Sequence, residues 1–148
     1  MSTDWMTPHL NYDSMAWDAI DEGDELPPVV REVDATLVVV GAVAAARDFY
    51  PVHHDKGFAE QSGSPDVFVN KGLMAAYITN WCGPDWDLVA IDLRLKIPVF
   101  PGQTLTTKGA VTRKYEQDGY ALDIEFSADA DYGTHCTGTA TIRRAESA

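Results

Sequence analysis

The chain has 148 residues, with 11 Lys and Arg against 23 Asp and Glu, for a formal net charge of −12. That length fits one domain, and a chain of this size buries roughly 70% of the surface its unfolded form exposes. A hydrophobic fraction of 45% with 10% aromatics is too apolar for a disordered chain, and the acidity argues against a broad basic face for nucleic acid or anionic lipid. The charge is uneven: residues 1–34 hold nine acids and the single base Arg31, while residues 35–148 are close to balanced, with 14 acids and 10 bases.

The first two dozen residues are polar and aromatic without a period, so residues 1–20 read as an acidic arm ahead of a domain spanning 21–148. The opening residues have neither a basic nor an apolar signal region. The longest apolar run, Leu37–Ala46, is too short to span a membrane. With two cysteines, Cys82 and Cys136, read as buried thiols rather than a disulfide framework, a cytoplasmic location is expected.

In chain order, Gly23 to Pro28 is turn chemistry, and Val29–Val33 starts a strand. Asp34 caps a predicted helix over Ala35–Arg47, although Val38-Val39-Val40 and Gly41 also suit a strand. Asp48–Asp55 is a loop dense in titratable groups, and Lys56–Gln61 a short helical turn. Gly72–Trp81 reads as an apolar, largely buried helix ended by Gly83-Pro84. Ile91, Leu93, Leu95 and Ile97 alternate with polar or small residues, as a strand does. Gln103–Arg113, Tyr120–Phe126 and Thr134–Arg143 follow as strands, separated by turns at Gln117-Asp118-Gly119 and Asp131-Tyr132-Gly133. A buried helix followed by four antiparallel strands in a meander predicts an α+β fold, the sheet wrapped around the helix.

The chemistry concentrates in the loop. An Asp and a His five positions apart on irregular backbone can converge to hold and activate one water. The same residues also suit solvated loop positions, or a satisfied interior histidine. His53, His54, Asp48 and Asp55 are metal-ligand types, but adjacent histidines on extended backbone point apart, so no metal is expected. Gly72 can offer its N–H to an oxyanion at a helix N-terminus, or serve only close packing. No P-loop, GxGxxG, HExxH or GxSxG motif occurs.

Asp48-Phe49-Tyr50-Pro51-Val52-His53 resembles the D-x-N-P-x-H motif of the MaoC-like family, the hot-dog-fold (R)-specific enoyl-CoA hydratases, with Tyr50 in place of asparagine. Glu22 to Pro27 and Leu95 to Gly102 (LKIPVFPG) resemble further family segments. Arg47-Asp48-Phe49, Val52 to Asp55, Asp66 to Asn70 and Trp81-Cys82-Gly83-Pro84 resemble an actinobacterial branch with small subunits of steroid side-chain hydratases. The resemblance covers most of residues 20–143.

It implies a single hot-dog domain and an enoyl-CoA hydratase in which Asp48 and His53 hold the catalytic water. The Gly72 N–H would bind the thioester carbonyl, with Asn70, Tyr50 and His54 nearby at the substrate. It implies no cofactor beyond the CoA thioester substrate, and assembly as a homodimer or with a second MaoC-like chain, one sometimes fused to an OB-fold (DUF35) domain. A bulky steroid acyl group follows from the branch. A non-catalytic partner subunit and a hot-dog acyl-CoA thioesterase are the alternatives. Two departures stand out: many members read P-I-x-H-G where this chain has Phe68-Val69-Asn70-Lys71-Gly72, and the segment to Trp81 is about one helical turn shorter than in that branch.

Overall fold

The computed structural model describes residues 15–144. Five strands form one antiparallel sheet in the order β1-β3-β4-β5-β2: β1 Glu25–Glu32, β2 Asp87–Leu95, β3 Thr104–Glu116, β4 Tyr120–Ala130 and β5 Gly133–Arg144. Three helices join them: α1 Ala35–Val40, α2 Lys56–Gln61 and the central α3, Lys71–Cys82. The α+β class and the sheet around a central helix are as expected.

Helix α3 is apolar on nearly every face because it is enclosed. Leu73, Met74, Tyr77, Ile78, Trp81 and Cys82 are all buried. Its last turn settles on the sheet where Gly109 leaves room, since a Cβ there would stand 2.8 Å from the Trp81 ring. The Trp81 indole N–H is donated to the Pro27 carbonyl, tying α3 to β1. Gly83, at φ 87°, ends the helix in backbone that glycine adopts without strain.

Three expectations are corrected. The helix over Ala35–Arg47 is α-helical only to Val40, and Gly41–Ala45 forms a π turn closed by the Ala46 N–H on the Gly41 carbonyl. Asp34 caps it as expected, accepting from the Leu37 N–H at 2.7 Å. The strand placed at Val29–Val33 begins earlier, at Glu25, and runs through Pro27 and Pro28 with an irregularity before Val29. Prolines are tolerated there because β1 is an edge strand.

The four-strand meander holds only for β3, β4 and β5. Strand β2 pairs with β5 at the far edge instead of with β3. Residues 96–103 carry the chain across the end of the sheet. Buried Val99 anchors that crossing, its carbonyl accepting from the Val69 N–H, while the Lys96 N–H bonds to the His135 carbonyl. Eight residues with two prolines form no tight hairpin, and the buried crossing makes the edge exchange possible.

Residues 1–14 of the arm lie outside the described residues. Residues 15–20 pack on the chain's own sheet. Trp17 stacks on Tyr120 with ring centres 4.6 Å apart, Lys114 Nζ sits 4.6 Å above the Trp17 ring, and Ile20 is buried.

Both cysteines are buried and free, as expected. Burial pushes the Cys82 thiol up to about 12 and the Cys136 thiol up to about 11, so neither forms thiolate near neutrality. Ellman's reagent is therefore expected to leave the folded chain unlabelled and to label both cysteines in denaturant. Labelling of the native chain at either position would contradict this burial.

His135 is the extra residue of a bulge in β5, because Thr134 pairs with Asp129 and Cys136 with Ala128. It is buried, its Nδ1 lies 2.6 Å from the Ile97 carbonyl, and Nε2 has no hydrogen-bond partner among the described residues. Burial lowers its pKa below 6.5, against the smaller opposing effect of the Ile97 bond. The unfolded chain then binds the proton first as pH falls. The contribution is fully present above about pH 6.5 and is lost as pH drops from there through the lower folded value. Urea midpoints measured between about pH 8 and 5 should fall in that window and flatten in His135→Gln. An unchanged slope in the variant would sink this assignment.

Candidate active site

Asp48 owes its position to the π turn. After Ala46, Arg47 takes φ 51°, and the Asp48 N–H returns to the Ala42 carbonyl at 2.9 Å. Asp48 Oδ1 accepts from the Tyr50 N–H at 2.9 Å, which fixes the carboxylate against its own loop. Pro51 then starts a single 3₁₀ turn, Pro51–His53, as its fixed φ favours. That turn brings the His53 imidazole back over Asp48.

The His53 ring is held in one sense. Nδ1 lies 2.8 Å from the Phe68 carbonyl, which only accepts, so Nδ1 carries a hydrogen and the lone pair of the neutral ring sits on Nε2. Nε2 faces Asp48 Oδ2 at 3.6 Å. The ring is wedged edge-on against Phe68, centroids 4.8 Å apart, and the residue is only 7% exposed. The Asp48 side chain keeps 38% exposure. A solvent-accessible carboxylate thus faces a buried, backbone-oriented imidazole nitrogen, an arrangement that can hold a water and move its proton.

Asn70 completes the cluster. It is the N-cap of α3, its Oδ1 accepting from the Gly72 N–H at 2.7 Å. Its Nδ2 donates to Asp48 Oδ2 at 2.8 Å and approaches His53 Nε2 at 3.2 Å. The structure therefore brings together Asp48, His53, Asn70 and the Gly72 backbone.

Tyr50 and His54, expected near the substrate, make no side-chain hydrogen bond to the pair among the described residues. The Tyr50 ring is 58% exposed and packs edge-on against Phe58, with only its backbone N–H serving Asp48. His54 Nε2 bonds to the Phe49 carbonyl at 3.1 Å. Asp55, considered above as a ligand type, caps α2 by accepting from the Phe58 N–H at 3.0 Å. No group of three or more His, Cys, Asp or Glu converges among the described residues.

Gly72 is required for packing, since a Cβ there would collide with the Ala46 side chain and stand 2.9 Å from Ala46 Cα. Beside it opens a groove of about 540 Å³, lined by Lys71, Gly72 and Ala75 of α3 and by Ile91, Asp92, Leu93 and Leu95 of β2. The walls are mainly apolar, with one cation and one acid, and the groove starts at the helix end that Asn70 caps.

Sequence reasoning assigned Asn70 to substrate and missed its bonds to Asp48 and His53. An Asn just ahead of an apolar helix signals a cap. Its reach to a loop 22 residues earlier is tertiary and leaves no mark in the spacing.

No protein-family model matches the chain. It is 36% identical over 129 residues to the 3-oxo-4,17-pregnadiene-20-carboxyl-CoA hydratase beta subunit of Mycobacterium tuberculosis (strain ATCC 25618 / H37Rv), a match covering 84% of this chain and 97% of that protein. A chain of the ChsH1–ChsH2 complex from Mycobacterium tuberculosis matches with a TM-score of 0.72 and 34% identity, covering 84% of this chain and 98% of that one. The (R)-hydratase from A. caviae involved in PHA biosynthesis shares the fold, with a TM-score of 0.70 at 22% identity over 85% of this chain and 98% of that chain. With a relative of this identity spanning nearly its whole length, the chain belongs to the MaoC-like, hot-dog-fold hydratase family.

Proposed function

We propose that the chain is an enoyl-CoA hydratase that adds water across the 2,3-double bond of an enoyl thioester, with Asp48 and His53 as its catalytic residues. The observation that carries this reading is the facing of His53 Nε2 and Asp48 Oδ2 at 3.6 Å, with Nδ1 locked by the Phe68 carbonyl. A water hydrogen-bonded to both groups from the open side gives its proton to this pair as its oxygen bonds to C3. The π electrons shift toward the thioester oxygen, and C2 then takes a proton from the same pair, so no cofactor is consumed.

The carbonyl donor in this reading is the Gly72 N–H at the N-terminal, positive end of α3. That N–H already bonds to Asn70 Oδ1, so it would serve the thioester as a shared, three-centre donor, a pattern common at helix termini.

Heteromeric assembly is the second part of the proposal. The outer edge of β2 is unpaired among the described residues, and Val89 and Leu95 on it are each 51% exposed. An exposed apolar edge favours pairing with another strand, and the similar chain of known structure comes from a two-protein complex. A second MaoC-like chain on this edge would roof the groove between α3 and β2. The name of the hydratase relative favours a bulky steroid acyl group.

The test is loss of the enoyl chromophore from crotonyl-CoA and from 3-oxo-4,17-pregnadiene-20-carboxyl-CoA. The full chain is assayed alone and with a second MaoC-like chain, with free thiol and product chirality followed in parallel. An (R)-3-hydroxyacyl-CoA product without thiol release supports a hydratase of the (R)-specific type. Thiol release without hydration supports a thioesterase instead.

A further inference from the structure

We infer that Asn70 is a positioning residue for the catalytic pair, supplying from the cap of α3 the amide that the Asp48–His53 loop does not itself provide. The inference rests on the hydratase reading above and assigns Asn70 a role distinct from substrate contact.

The side-chain amide of Asn70 has one acceptor and two donor hydrogens, and the structure uses all three. Oδ1 takes the Gly72 N–H at 2.7 Å, one Nδ2 hydrogen goes to Asp48 Oδ2 at 2.8 Å, and the other faces His53 Nε2 at 3.2 Å. Only one orientation of the amide satisfies this set. Turned over, it would set oxygen against carboxylate and NH₂ against a backbone N–H. The residue is 6% exposed, so bulk water does not compete for these bonds. The motif that this loop resembles has asparagine at position 50, where this chain carries Tyr50 with its ring against Phe58. The amide beside Asp48 and His53 thus arrives from 22 residues downstream.

The geometry has a chemical consequence. Helix α3, through one side chain, sets the separation of the carboxylate and the imidazole. Nε2 has a single lone pair, so a water that gives its proton there replaces the longer, 3.2 Å contact. The 2.8 Å bond still holds Asp48 in place. Loss of the amide leaves Asp48 Oδ2 without its 2.8 Å donor and the carboxylate held through Oδ1 by the Tyr50 N–H, so the carboxylate loosens against the imidazole, which reduces turnover more than substrate binding.

Asn70→Ser and Asn70→Asp separate positioning from capping. Serine and aspartate cap helices about as well as asparagine, so both keep an acceptor for the Gly72 N–H, but neither presents an amide to the pair. In the full chain, assayed alone or with a second MaoC-like chain, whichever hydrates crotonyl-CoA, both variants are expected to lower kcat about 10- to 10²-fold with KM little changed. A second readout needs no activity. The imidazole nitrogen resonances of His53, assigned with His53→Gln, should move or broaden in Asn70→Ser while the far-ultraviolet spectrum stays native.

Unchanged kcat in both variants, or His53 resonances that stay in place, overturns the inference. If Asp48→Asn abolishes hydration while Asn70→Ser does not lower it, this inference alone fails. If Asp48→Asn leaves hydration intact, the proposed function fails and takes this inference with it.

Discussion

Asp48→Asn and His53→Gln are each expected to lower kcat for enoyl-CoA hydration by at least about 10²-fold, the range that a positioned acid–base group supplies. Asn at 48 keeps the volume and the bond from the Tyr50 N–H but loses the negative charge facing His53 Nε2. Gln at 53 can still donate to the Phe68 carbonyl, yet it offers no basic nitrogen toward Asp48. Both variants should fold, because neither opens a large apolar cavity. The double variant should be little worse than either single one, since the two groups act on one water. Steady-state kinetics beside thermal unfolding checks this, and full activity in either single variant would remove Asp48 and His53 from the catalytic role.

Gly72→Ala is expected to cost about 1–3 kcal/mol of stability, in the range of other overpacked interiors. The added methyl meets the Ala46 side chain and stands 2.9 Å from Ala46 Cα and 3.0 Å from its backbone nitrogen. Relief requires the end of the π turn to move, and Asp48 lies two residues past Ala46, which closes that turn. The substitution therefore lowers both the unfolding midpoint and turnover. Adding Ala46→Gly removes the worst part of the collision and should restore some of the loss, a coupling that a double-mutant cycle reads directly. A Gly72→Ala chain as stable as the parent would contradict the close approach of α3 to the π turn.

The local signals were legible where short-range chemistry decides the outcome. Asp34 as a cap, Gly83 as a stop, and the turn at Asp118 and Gly119 (φ 52° and 112°) all follow from residue type. Strands β3, β4 and β5 lie within a few residues of the segments expected for them from turns, alternation and threonine content. The edge exchange of β2 was not legible, because the period of a strand says nothing about its neighbour. What sends β2 to β5 is the burial of Val99 and the bond from the Lys96 N–H to the His135 carbonyl. The π turn was hidden for a similar reason: valines, glycine and alanines fit either helix type, and the fit of Gly72 against Ala46 is tertiary.

At the site, the spacing of Asp48 and His53 and the resemblance to the D-x-N-P-x-H motif were enough to bring the pair forward. They were not enough to sort its neighbours. The resemblance implies Tyr50 and His54 near the substrate. The 3₁₀ turn sets the Tyr50 ring against Phe58, and His54 Nε2 bonds to the Phe49 carbonyl. The acidity also changes its meaning. It is concentrated in residues 1–34, and the body that holds the site is nearly balanced, which leaves room for an anionic thioester.

If water held by Asp48 and His53 bonds to C3 of an enoyl thioester, its oxygen remains in the product. Turnover of crotonyl-CoA in ¹⁸O-labelled water by the full chain, alone and with a second MaoC-like chain, followed by mass spectrometry, traces that oxygen. The proposed hydration is expected to place one labelled oxygen in the 3-hydroxyl of an intact acyl-CoA, and none with Asp48→Asn. Label confined to the carboxylate of a released acid, or turnover that survives Asp48→Asn, would contradict it.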